Sequence, residues 1–498
     1  MSLRSKPVNN GEPQAFPRII QGGMGVAVSS WKLARAVAEG GQLGVVSGTA
    51  LDAVLIRRLE LGDPDGSLRQ AFDEFPFPEI ANRVWGKYYV AGGKPADDPF
   101  SPIMALSESP KREHVERVVL ANFAEVFLAK RGHQGAIGIN LLEKIQAPTL
   151  ASLYGAMLAD VDYVLMGAGI PKSIPGVLDR FADGEPASLP LFVEGAEAGE
   201  VHCIEFSPEL FTSGEVPWLR RPRFLAIVSS ATLATMLSRK SNGQVDGFIV
   251  EGHKAGGHNA PPRGGVQLNA LREPVYGPRD EVDLAAFRNL GLPFWLAGSY
   301  GSAEHLKEAL QAGATGIQVG TAFAFCDESG IDPGIKLEVI SMSVQGKTRV
   351  HTDPLASPTG FPFKVLELSG TMSEQELVEA RTRCCDLGYL RQPYQRADGR
   401  IGWRCPGEPV DQYVRKGGNL ADTEGRKCIC NGLMATVGLA QCHQGQRELP
   451  IVTCGNDVAN IWRFLPSQLA TSYSAKDVIN HLLTCPAERE EPAAVQVG

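Results

Sequence analysis

Short apolar runs, each ending at a glycine or a polar residue and most followed by a stretch with helical spacing, recur along this chain, and that alternation points to an α/β fold on a parallel sheet. The first run is Arg18-Ile-Ile-Gln21, which passes into Gly22-Gly-Met-Gly25. Trp31, Leu33, Ala34, Val37 and Ala38 then fall on helical spacing, with Ser30 placed as an N-cap and Gly40 or Gly41 as a stop, before Leu43-Gly-Val-Val46 returns to strand character. Residues 135–140, 161–166, 223–228, 247–250, 293–297 and 316–320 repeat the strand pattern; residues 231–239 and 302–311 repeat the helical one. About eight such strands predict a (β/α)8 barrel, whose chemistry lies on the loops after the strands' C-terminal ends. A doubly wound open sheet is the competing arrangement.

The strand into residue 250 is the most informative. Phe248-Ile-Val-Glu-Gly-His-Lys-Ala-Gly-Gly-His-Asn runs from a doubly covered strand into a carboxylate, Glu251, and then into glycines around two histidines. Gly252, Gly256 and Gly257 let the backbone approach a bound group closely. His253 and His258 are the side chains here that titrate near neutrality, so either could move a proton. Other candidate site residues also follow strands: Gly22, Gly23 and Met24, Asn140, Gly167 to Gly169, Gly298 and Ser299, and Gly320 with Thr321. Gly298-Ser-Tyr-Gly301 precedes a helix start, where exposed N–H groups make an anion site. The histidines, Glu251, Asn140 and Met24 equally have bland readings as strand ends, caps and packing, and Asp353 reads as a turn beside Pro354.

Together these motifs resemble the FMN-dependent nitronate monooxygenases, also called 2-nitropropane dioxygenases, and their relatives the flavin-dependent enoyl-acyl-carrier-protein reductases. The blocks that carry the resemblance are Ile19-Ile-Gln-Gly-Gly-Met-Gly25, Gly138-Ile-Asn140, Glu251-Gly-His-Lys-Ala-Gly-Gly-His258, Ala297-Gly298, Gln318-Val-Gly-Thr321, Thr352-Asp-Pro354 and Ser357-Pro-Thr-Gly-Phe-Pro362, about half the chain. The resemblance implies a TIM barrel holding FMN on its C-terminal rim. Gly298, Ser299, Gly320 and Thr321 would take the phosphate. Gly22, Gly23, Met24, Asn140 and Gln318 would lie along the ribityl chain and ring, with Glu251, Gly256 and Gly257 in the adjoining loop and His258 as the catalytic residue. Ser299 stands where the family more often has glycine. Two reactions follow: oxidation of nitroalkanes or alkyl nitronates with dioxygen, His258 acting as base, or reduction of an enoyl thioester by NAD(P)H. Expected partners are a small-molecule substrate, a second copy in a homodimer and, for the reductase, an acyl carrier protein.

The 498 residues divide, on this reading, into a flexible lead over 1–16, an FMN-binding barrel over 17–365 with insertions near 52–132 and 173–222, and a Cys-rich extension over 366–498. A net charge of -8 without a dense basic tract argues against nucleic acid. A polar N-terminus and the lack of a long apolar run predict a cytoplasmic protein away from membranes. Eight of the ten cysteines, Cys384, Cys385, Cys405, Cys428, Cys430, Cys442, Cys454 and Cys485, fall in the last part of the chain. Such clustering suggests zinc or an iron–sulfur cluster, with Cys405, Cys428, Cys430 and Cys442 as first candidate ligands, although free Cys is also an ordinary small buried side chain.

Overall fold

A computed structural model describes residues 15–197 and 199–484. Eight parallel strands, β1 (Ile19–Gln21), β2 (Gly44–Ser47), β3 (Ile137–Leu142), β4 (Tyr163–Gly167), β5 (Arg223–Val228), β6 (Gly247–Glu251), β7 (Phe294–Ala297) and β8 (Gly316–Val319), pair in sequence order, and β8 pairs with β1. The last seam closes through Ile20 and Leu43: Leu43 N donates to Ile19 O at 3.1 Å and Gln21 N to Leu43 O at 3.0 Å. Every strand therefore has two neighbours, and the sheet is a closed barrel rather than an open doubly wound one.

The period-two alternation of strands sorts side chains into two cores. Ile20, Val45, Leu165, Leu225, Ile249 and Trp295 fill the barrel interior, while neighbours such as Ile19, Val46, Val164, Phe224, Phe248 and Leu296 face the helices. Trp295 is buried to its indole N–H, which donates to Pro17 O at 2.8 Å.

Helices Trp31–Glu39, Arg112–Lys130, Thr149–Leu158, Ile174–Ala182, Ala231–Lys240, Leu284–Asn289 and Ala303–Gln311 follow β1 to β7. The eighth place in the ring goes to Ala475–Leu483, which packs between Trp31–Glu39 and Ala303–Gln311. The chain thus leaves β8, runs across the C-terminal rim, and returns to complete the helical layer. Arg112–Lys130 is buried nearly all round, because the added helices Leu51–Glu60, Ser67–Glu74 and Pro78–Tyr88 cover the side that other ring helices expose. Beyond Ile174–Ala182 the chain forms a hairpin, Ala187–Leu191 with His202–Phe206. Among the described residues no helix is long and apolar enough to cross a membrane.

The segment over the rim is fastened by buried polar contacts. Arg57, fully buried, donates to Leu439 O at 2.6 Å and pairs with Asp386 at 3.2 Å. Asp386 also accepts from Asn431 at 2.7 Å and Gln441 at 3.1 Å. Tyr389 donates to Asp52, which Arg117 holds from the other side at 3.1 Å. A buried arginine has to be paired to be tolerated, so these contacts fix where the segment sits.

Candidate active site

The C-terminal ends of the strands open into one cavity of about 450 Å³. All the cofactor candidates line it, Gly22, Gly23, Met24, Asn140, Glu251, Gly256, Gly257, Gly298, Ser299, Gln318, Gly320 and Thr321, and so does His258. Barrel closure brings them together, since each lies at or after the C-terminal end of a strand, except Asn140 and Gln318, which lie inside β3 and β8; β3 continues past Asn140 to Leu142.

Local packing explains the glycines that matter most. A Cβ on Gly23 would lie 2.2 Å from Cβ of Asn140, whose side-chain amide donates to Gly23 O at 3.0 Å. A Cβ on Gly256 would lie 2.7 Å from the backbone of Cys454. Gly298 and Ser299 take consecutive left-handed conformations, φ +92° and +65°, so the serine sits in a conformation that favours glycine. The turn they make is a concave one: among the described residues, the N–H groups of Ser299, Tyr300, Gly320 and Thr321 have no acceptor. Asn140 Oδ1 and Gln318 Oε1 are likewise buried without a donor. Unpaired buried polar atoms are costly, and these surround one space of ligand size.

The titratable groups have been shifted by burial. Glu251, at the end of β6, is pushed up to about 7. His258 is pushed down to about 3, by burial first and by the charge of Lys144 second. Its Nε2 lies 2.6 Å from Ser357 Oγ and its ring meets Phe363 edge-on at 4.9 Å. His258 is therefore a neutral, oriented imidazole at physiological pH. Lys144 stands behind the wall, its ammonium 3.4 Å over the Phe361 ring, and burial pushes it down to about 8. His253 is outside the lining, stacked on Tyr276 at 4.3 Å. His351 bonds to Leu271 O, and Asp353 caps the turn at Leu355 and Ala356.

The sequence reading missed the far wall, which comes from the rim-crossing segment. Tyr389, Ile429, Cys430 and Leu433 line the cavity, as do Thr453, Cys454, Gly455 and Asp457. Thr453 accepts from Gly257 N at 2.9 Å, Gly455 N donates to Thr321 Oγ1 at 2.9 Å, and Asp457 accepts from Gly301 N at 3.2 Å. The signal was present: Ile451-Val452 leading into Thr453-Cys-Gly-Asn-Asp457 repeats the pattern of an apolar run ending at glycine and polar residues.

The predicted metal ligands need correction. Cys405, Cys428 and Cys430 line one small cavity, but Cys442 does not, and Cys385 takes its place. Cys442 lies on a two-residue strand paired with Arg447; Gln441, beside it, binds Phe100 N and O, and Arg447 binds Ala96 O, so this hairpin is held to the 96–100 loop. Cys485 lies outside the described residues. Among them, the side chains near enough to share one ion are Cys384, His443 and Glu448. Glu448 is already clamped by Arg381 at 2.6 and 2.7 Å and accepts from Cys384 at 2.8 Å, so its charge is satisfied without a cation.

A closed (β/α)8 barrel with a glycine-rich cavity at its C-terminal rim is the class that fold and site define. Residues 195–353, from the hairpin after β4 to the strand Val350–Asp353, match the family model described as nitronate monooxygenase. A nitronate monooxygenase from Paraburkholderia phytofirmans is 26% identical over 182 residues, 36% of this chain and 46% of that protein. A probable nitronate monooxygenase from Bacillus subtilis is 28% identical over 153 residues, 31% of this chain and 42% of that protein. The matched stretch thus spans less than half the length of either relative. Among solved structures, FabK from Thermotoga maritima aligns over 94% of this chain and 92% of its own at 16% identity with a TM-score of 0.45. Nitroalkane oxidase from Streptomyces ansochromogenes aligns over 94% of each chain at 15% identity with a TM-score of 0.42.

Proposed function

We propose that this chain is an FMN-dependent oxidoreductase of the nitronate monooxygenase type, taking alkyl nitronates or nitroalkanes and dioxygen. The observation that carries the reading is the rim cavity, where a ring of unpaired N–H groups and orphaned amide oxygens surrounds a space of about 450 Å³. That donor set fits FMN. The free N–H groups around Gly298, Ser299, Gly320 and Thr321 suit a phosphate, and Asn140 and Gln318 offer acceptors to hydroxyl and ring N–H groups. A Cβ at Gly257 would meet open space and one at Gly22 only ordinary contacts, while Gly23 and Gly256 let Asn140 and the Cys454 backbone close the cavity walls. Bound there, FMN supplies the electron-accepting chemistry.

The protein's own residues favour the preformed nitronate over the neutral nitroalkane. A carbon base has to hold the proton it removes, and His258, pushed down to about 3, holds one poorly at neutral pH. A nitronate has already lost that proton. His258, fixed by Ser357, would instead orient the anion through a neutral ring hydrogen bond, and the Lys144 charge behind the wall would favour a negative occupant. An oxygen electrode tests this: nitronate should support uptake, and the parent nitroalkane much less at equal concentration. Equal rates from both would restore His258 as a base.

One observation supports the alternative, reduction of an enoyl thioester by NAD(P)H. A second cavity of about 380 Å³, lined by Leu106, Lys144, Phe192 and Trp403, shares Ile145 and Tyr389 with the first and could house a longer acyl chain.

A further inference from the structure

The second cavity, about 380 Å³, is walled by stretches far apart in sequence: residues 105–106, the loop 143–148 that begins at the end of β3, the hairpin turn at 191–194, and residues 388–393 with Trp403 from the rim-crossing segment. From its geometry we infer that it binds a small monocarboxylic acid with an apolar body, the carboxylate held by Arg391.

The walls are fastened to one another. Gln146 Nε2 donates to Pro190 O at 3.0 Å, Glu194 N to Pro393 O at 3.0 Å, Gln395 N to Glu194 O at 2.8 Å and Ala105 N to Leu387 O at 2.8 Å, so each wall is tied to the next. Voids much larger than a water molecule are few in a packed protein, and one of ligand size between fastened walls is a place for a ligand. Leu106, Ile145, Leu191 and Tyr389 give it an apolar side. Phe192 lines it while 81% exposed, which puts this ring where the cavity meets water. Trp403 donates its indole N–H to Glu108 at 2.8 Å, outside the lining.

The charged side chains on the walls, Glu143, Lys144, Glu194 and Arg391, select the head group. Glu194 is paired with Arg404 at 3.0 Å. Glu143 and Lys144 are adjacent and of opposite sign, and the Lys144 ammonium lies over the Phe361 ring, where it has no hydrogen-bond acceptor. Arg391 is left over. Its Nε donates to Gly388 O at 3.2 Å, and among the described residues its guanidinium has no carboxylate partner. Both terminal nitrogens remain for a carboxylate, which a guanidinium grips through two parallel hydrogen bonds. One unmatched positive charge beside an apolar hollow fits a singly charged acid. A thioester-linked acyl chain would fill the hollow but leave Arg391 without a partner; the acid satisfies both, whatever the rim cavity binds.

Octanoate and 1-octanol, matched in chain and different in charge, test this on the full chain by titration calorimetry. Octanoate should bind saturably at a single site and at least about 10-fold more tightly than the alcohol. Arg391→Met should weaken octanoate about 10-fold or more and still bind octanol, which shows the hollow intact. Location is read separately: octanoate should change the tryptophan emission of the wild-type protein, and Trp403→Phe should abolish most of that change while octanoate still binds. No saturable octanoate binding, equal affinity for the alcohol, an Arg391→Met protein that keeps the preference, or an emission change that survives Trp403→Phe would overturn the inference.

Discussion

The rim cavity and the small thiol-lined cavity share Leu390, Ile429 and Cys430 as a wall yet are assembled in opposite ways. The first collects residues from strand ends scattered over 300 positions of sequence (22 to 321), and the barrel brings them together whatever lies between. The second is lined from loops and a short helix, Ile429–Thr436, within the segment that crosses the rim. Its convergence depends on how that segment is fastened to the helix Leu51–Glu60. The difference separates a cavity set by topology from one set by tertiary docking, and it can be broken from either side.

The largest effect should come from the fastening. Arg57→Ala strands Asp386 and should cost about 3–5 kcal/mol. Denaturant unfolding should show that loss. Gly23→Ala acts on the rim alone. Its methyl would collide with Asn140, and FMN affinity should fall about 10-fold or more by fluorescence titration.

Glu251 gives a pH signature. Its folded carboxyl keeps its proton up to about 7 against 4.5 unfolded, so the native state binds more protons between those values. Stability therefore falls as pH rises through that window and stays low above it. Glu251→Gln should stabilise flavin-free protein by about 3 kcal/mol at pH 8, and the gain should vanish near pH 4. A constant gain at both pH values would show that proton linkage is not its source.

His258→Ala should keep its flavin and lose about 100-fold in kcat through lost positioning of the anion. No limb of the pH–rate profile near neutrality should disappear with it, because the wild-type ring titrates near 3. The smallest change is expected at Asp457, whose carboxylate meets Gly301 N beside the proposed phosphate loop. Asp457→Asn should tighten FMN binding a few-fold at low ionic strength, less in high salt.

Much of the barrel was legible because β5, β6 and β8 are apolar runs with glycine or polar stops, a pattern that survives without tertiary information. Glu251 and His258 were readable for the same reason, whereas Gln318, inside β8 rather than at its stop, was readable only through the family resemblance. What the pattern hides is that Ala475–Leu483 completes the helical ring, since a helix so far from β8 carries no sign of its partner. Arg112–Lys130 gave a similar difficulty: a ring helix buried on all sides lacks the amphipathic stripe that would have separated it from the insertion. Cys385 was passed over for Cys442 because the spacing Cys428-Ile-Cys430 matches no common ligand pattern, and only the docked loops show which fourth sulfur arrives.

The most direct test is anaerobic mixing of purified, FMN-loaded protein with an alkyl nitronate, and separately with NADH and NADPH, while following the oxidised flavin band. The nitronate should bleach the band within the turnover time, and the nicotinamides should leave it intact. Bleaching by a nicotinamide with the nitronate inert would contradict the nitronate reading and turn the search to an enoyl acceptor for the second cavity.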